Sequence, residues 1–230
     1  METCETCALY RKSLCPTRAD GGRDPGPGDW CGAWKPKGPA AKQPAANVDH
    51  WPSVTQVMSP WTAQALAAIP EKTLSAAAER GTAVHDVCSR IALGEFIIGI
   101  DEGQEGYVRS FEKWLTTQVK EVILAERRLY HDTLCFHGKP DLIVLLNDER
   151  RALVDLKTPV AHQKSWAMQL AAYGELAAAN SYHTHVAGTL RLDPAGKTPK
   201  MKWYEDSGNG KATVAFSAFL SALSVWNFLH

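Results

Sequence analysis

No stretch of this chain approaches the ~20 consecutive apolar residues that a membrane-spanning helix requires. The N-terminal METCETCALYRKSLC lacks the apolar middle of a signal peptide, so export is not expected and a cytoplasmic location is. An excess of one charge is missing too: 25 Lys plus Arg balance 25 Asp plus Glu. That argues against holding nucleic acid by bulk charge alone. It leaves room for an acidic metal site beside local basic patches, because the sum conceals both. No internal repeat is visible. Cysteine is scarce after Cys31, where only Cys88 and Cys135 occur, and both read as small buried apolar residues.

What is present begins with the other four cysteines, all within the first 31 residues. Residues 1–37 are rich in Cys, Gly and Pro and too poor in apolar residues to build a core. Cys4-x2-Cys7, followed by Cys15 and Cys31, can complete a tetrahedral Cys₄ site, and a metal would supply the missing folding free energy. Structural Zn²⁺ is favoured. A [4Fe–4S] cluster is the rival, supported by the Cys15-Pro16 step. Residues 38–50 read as a Pro/Ala/Lys-rich linker, and the main domain as 51–230.

Within that domain helical patterns cover Ser75 to Leu93 and Gly103 to Val119, the second with Tyr107, Phe111, Trp114 and Leu115 on one stripe. Three strand candidates follow: EVILAERRLYH, PDLIVLL and RRALVDLK. A helix SWAMQLAAYGELAAA, strands near HVAGTLRL and KMKWYED, and a helix TVAFSAFLSALSVWNFL complete the order. This order predicts an α/β fold with a central mixed sheet flanked by helices.

The stretch GKPDLIVLLNDERRALVDLKTP sets charges among buried-strand residues. Strand side chains alternate faces, so Asp155 and Lys157 point the same way. A hairpin turning at Asn147-Asp148 sets Asp141 as far from the turn as Asp155 and brings the two together. Two buried carboxylates repel each other, and a Mg²⁺ or Mn²⁺ between them resolves the conflict. Lys157 beside such a metal can hold or deprotonate a water and stabilise charge developing on a phosphate. The alternative is a structural ion pair between Asp141 and Lys157 at a sheet end.

This pattern resembles the PD-(D/E)xK nuclease superfamily, in its RecB-type and phage alkaline-exonuclease branch. Pro140-Asp141 matches the PD element and Asp155-Leu156-Lys157 the (D/E)xK element. Gln169 and Tyr173 match a QxxxY motif, His85 a histidine on an early helix, and Glu126 an acidic residue on the first core strand. WPSVTQVMS resembles the opening of many phage members. The resemblance covers roughly Trp51 to Leu192. It implies a restriction-endonuclease-like core and a DNA nuclease acting in recombination or end processing, read as an exonuclease, with a structure-selective or nicking endonuclease on the same core as the alternative. It also implies Mg²⁺ or Mn²⁺ held by His85, Asp141, Asp155 and the Leu156 carbonyl, with Lys157 handling the water. Gln169 and Tyr173 would support the site. DNA is the implied partner, with a single-strand annealing or recombination protein beside it and a bacterial host cell as the setting. A nuclease fold that only binds DNA or a partner through the Cys₄ segment is the non-enzymatic alternative.

His85 on an Ala/Val-rich helix also suits a satisfied core histidine, and Glu126 a solvated strand residue. Trp166, one turn before Gln169, is either a core residue or a platform for a base at a strand end. Arg127, Arg128, Arg150, Arg151 and Lys164 are near the site in sequence and could clamp phosphates, with solvated surface charge the default reading for most of them.

Overall fold

A computed structural model describes residues 48–159, 163–204 and 214–230. Cys4, Cys7, Cys15 and Cys31, and with them the expected metal-binding segment, lie outside the described residues.

The chain enters through α1 (Val54–Leu66), α2 (Glu71–Ala92) and α3 (Glu102–Gln118). A capping box starts α1: Gln56 N–H donates to the Ser53 hydroxyl, and Ser53 N–H donates to the Gln56 side chain. The S-x-x-Q signature was there to be read in the sequence, although no helix was expected at this position. Pro60 inside α1 cannot donate to the Gln56 carbonyl four residues earlier, and the Ser59 hydroxyl donates to it instead.

The strands are β1 (Val119–Ala125), β2 (Leu129–His131), β3 (Phe136–Gly138), β4 (Leu142–Leu146) and β5 (Arg151–Lys157). After them come α4 (Ser165–Ala179), β6 (Val186–Arg191), β7 (Lys200–Tyr204) and α5 (Val214–Leu229). A five-stranded sheet has the order β1-β4-β5-β6-β7. Its neighbours are antiparallel except for β5 and β6, which are parallel and joined through α4 as a crossover helix. The mixed sheet flanked by helices is as expected.

The segment EVILAERRLYH was expected as a single strand and is two. β1 ends at Ala125, and Leu129–His131 pairs with β3 in a separate two-stranded sheet. The break is the backbone of Glu126, whose φ of 47° cannot continue a ladder.

The sheet separates two apolar layers. On one face Leu142, Val144, Val154 and Leu156 pack against α2 and α3 through Val84, Cys88, Phe111 and Trp114. On the other, Leu124, Ile143 and Leu153 meet α1, α4 and α5, with Phe136 and Phe219 fully buried between them. Cys88 belongs to the first layer, as expected. Cys135 is exposed, which corrects the expectation for it: it closes the β2–β3 turn at φ 53°, on the solvent side.

Gly138 allows one close approach that bears on the site. A Cβ there would stand 2.7 Å from Tyr173 and 2.8 Å from Leu176, so β3 can lie against α4 only without a side chain.

Candidate active site

The β4–β5 hairpin turns as expected at Asn147 and Asp148, with Glu149 in the left-handed region closing it. Its ladder pairs Leu142 with Val154 and Leu145 with Arg151. Continued to the open end, that register sets Asp141 level with Asp155 and Pro140 level with Leu156. Proline has no N–H, so the ladder brings the Leu156 carbonyl no donor from that position. The Leu156 N–H, on the same edge of the strand, donates to Asp141 Oδ2 at 2.7 Å. The chain leaves the ladder at Asp141, and its carboxylate takes the place of the missing strand.

Strand alternation counted back from Ile143 and Leu145 would set Asp141 on their face, and the departure corrects that expectation. Asp141 does not stay on the face of Ile143 and Leu145. Its Oδ1 turns to His85 Nδ1, 3.3 Å away, and His85 comes from α2 in the other layer. The site therefore sits at the sheet's end, where both layers can reach it.

Asp155 and Lys157 share the α4 face, as strand alternation requires. Asp155 is 2% exposed, and its Oδ2 forms an ion pair with Lys157 Nζ at 2.5 Å. That oxygen finds no hydrogen-bond donor of good geometry among the described residues. From α4, Gln169 Oε1 accepts from Lys157 Nζ at 3.0 Å, while Gln169 Nε2 donates to Tyr173 Oη at 3.3 Å. The four-residue spacing places both on one helix face, and that face is turned to β5.

Glu126 is drawn in by its backbone. The left-handed turn directly after β1 is held by its N–H donating to the Asp141 carbonyl at 2.9 Å. Such a conformation at a non-glycine costs roughly 1–2 kcal/mol. Ligand atoms of His85, Glu126 and Asp141 all lie within 4.8 Å of one another. Glu126 also pairs with Lys139, a residue that sequence reasoning did not single out. Its position directly before Pro140-Asp141 was the available signal.

Electrostatics sharpen the contrast between the two aspartates. Burial alone would raise the Asp141 carboxyl, but His85, Lys157 and the Leu156 N–H outweigh it and hold Asp141 below its usual value. The same partnership raises His85 above 6.5 against its burial. For Asp155 burial dominates; Lys157 opposes it and Asp141 adds to it, so the carboxyl is pushed up to about 6. Burial and the two aspartates also push the Tyr173 hydroxyl upward, so it stays a neutral partner of Gln169.

The arrangement suits a hard divalent cation: carboxylate oxygens in excess, one buried and lacking a good donor, a carbonyl without a ladder partner, and an imidazole. His85, Glu126, Asp141, Asp155 and the Leu156 carbonyl could hold it. Distance and burial decide two of the alternatives that the sequence left open, for surface charge at Arg150 and Arg151 and for the core at Trp166. Arg150 and Arg151 lie at the opposite end of β5, about 20 Å from Lys157 at 3.3 Å per residue. Arg150 there pairs with Asp148 and covers Trp203. Trp166 is 5% exposed, too buried to be an open platform for a base.

No family model matches the chain, and comparison with curated proteins returns no match. Among the described residues no helix is long and apolar enough to cross a membrane.

Proposed function

We propose that this protein is a divalent-metal-dependent DNA nuclease of the PD-(D/E)xK type, with a restriction-endonuclease-like core, acting on DNA ends in recombination or end processing. The observation that carries the reading is the convergence of Asp141, Asp155 and Lys157 with His85 and Glu126 at one end of an otherwise apolar sheet. A structural ion pair would need one acid and one base. Three carboxylates and an imidazole gather there with Lys157 and Lys139, so ligand atoms outnumber the lysines, and the penalty on Asp155, set mainly by burial and increased by Asp141, persists until positive charge arrives.

His85, Glu126, Asp141, Asp155 and the Leu156 carbonyl would hold Mg²⁺ or Mn²⁺. When bound, the cation supplies Lewis acidity to the phosphodiester. Asp141 ties the hairpin end to α2 through His85 and to β5 through the Leu156 N–H, so three elements move as one. Lys157 presents its ammonium to charge developing on the phosphate and can orient the attacking water. Gln169, steadied by Tyr173, keeps that ammonium in place. A recombination or single-strand annealing protein is the partner such an enzyme would serve.

Digestion of linear, closed-circular and single-stranded DNA with Mg²⁺ or Mn²⁺, comparing wild type with Lys157→Ala, tests the proposal. Linear DNA is expected to shorten from its ends with wild type only. Cutting of closed circles would assign an endonuclease, and no cutting under either metal would leave a DNA- or partner-binding module. For the segment holding Cys4, Cys7, Cys15 and Cys31 the proposal stays with structural Zn²⁺. A colourless anaerobic preparation containing zinc is the expected result, and the brown absorption of an iron–sulfur cluster would replace it.

A further inference from the structure

Trp166, Gln169 and Tyr173 recur at three- and four-residue spacing along α4, so they form one stripe. That stripe faces the Asp155–Lys157 side of β5. Gln169 and Tyr173 already have partners there. Trp166 has its own: Lys157 Nζ stands over the indole ring, 5.5 Å from its centroid. The aromatic face is negative and attracts a cation at this range.

An ammonium has three N–H donors and no acceptor. Around Lys157 three groups suited to a cation approach, one from β5 and two from α4. They are Asp155 Oδ2 at 2.5 Å, Gln169 Oε1 at 3.0 Å and the indole face. A lysine stem is flexible and loses much rotamer freedom when its tip is fixed. The Lys157 side chain is only 13% exposed, so water supplies little of this fixing. Tyr173 accepts from Gln169 Nε2, which leaves the oxygen end of that amide for the lysine.

We propose that Trp166 is a positioning residue for Lys157, and that its indole face completes a three-sided cradle that holds the tip of the lysine in place. The inference rests on the nuclease reading above. It assigns Lys157 to charge stabilisation and water orientation, and it gives Trp166 a task beyond filling the core.

Trp166→Phe keeps an aromatic face, whereas Trp166→Leu keeps apolar bulk and removes the face. Each is compared with wild type for thermal midpoint, for Mg²⁺ affinity, and for kcat and KM on linear duplex DNA. The metal-free proteins are compared for the NMR shifts of the Lys157 Hε protons. In wild type those protons are expected upfield of ordinary lysines, from the ring current of the indole. Trp166→Leu is expected to lose that shift and about tenfold in kcat, with KM within about twofold and Mg²⁺ affinity unchanged. Trp166→Phe is expected to keep most of both. A core role alone would instead lower the thermal midpoint and leave kcat untouched in whatever folds. Cleavage by Trp166→Leu at the wild-type kcat, or no ring-current shift in wild type, would overturn this inference and leave the nuclease reading standing. A wild type that shows the shift yet cleaves nothing with Mg²⁺ or Mn²⁺ would overturn the nuclease reading, and the inference with it.

Discussion

Asp155→Asn separates the needs of the fold from those of the site. In the metal-free protein the Asp155 carboxyl is raised from 3.8 to about 6, chiefly by burial. A raised carboxyl pKa means that the folded state binds the proton more tightly than the unfolded chain. The resulting penalty is absent below the unfolded value near 4, grows between there and about 6, and is fully present above it. About two pKa units at 1.36 kcal/mol each is about 3 kcal/mol as a ceiling at pH 8. Asparagine has nearly the same shape and no charge, so Asp155→Asn in EDTA at pH 8 should be more stable than wild type by about 1–3 kcal/mol. Loss of the Lys157 partner trims the gain. Urea unfolding at pH 8 and pH 4 would read it as a midpoint shift on the order of 1 M that fades at the lower pH. Saturating Mg²⁺ should then reverse the order, because ligand at 100 times its Kd adds about 2.7 kcal/mol to whichever protein binds it. If Asp155→Asn were less stable in EDTA at pH 8, or if the gap ignored both pH and Mg²⁺, the carboxylate would be a structural partner of Lys157 and the metal argument would fail.

Three further outcomes follow from the same geometry. Lys157→Ala should lower kcat by about 10²–10³-fold while Mg²⁺ affinity, read by calorimetry, stays close to wild type. Glu126→Gln should weaken Mg²⁺ binding by about tenfold, and unchanged affinity would return Glu126 to a surface partner of Lys139. Gly138→Ala should cost about 1–3 kcal/mol by pushing Tyr173 and Leu176 away, and cleavage by the folded fraction should fall with it as Gln169 loses its support.

The local part of this site is legible in the sequence. Asp155 and Lys157 share a face because strand side chains alternate. Asp141 stands level with Asp155 because both lie equally far from a turn marked by Asn147 and Asp148. Gln169 and Tyr173 share a helix face by spacing alone. Each inference uses a period or a loop length, which a sequence displays directly.

What only the tertiary structure decided has a different physical origin. Whether His85 packs in the core or meets Asp141 depends on how α2 lies across the sheet end, and helix spacing alone leaves that open. Glu126 joins the cluster through one left-handed residue that ends β1, and the strand-like composition of EVILAERRLYH hid that break. Cys135 is exposed because it closes a turn, although its type favours burial. The aromatic ring of Trp166 has the same composition whether it stacks on a base, fills a core or faces a cation. Packing α4 against β5 set it over Lys157. Periodicity tells each element which side to bury, and the meeting of the buried sides then selects which polar groups come within reach of one another.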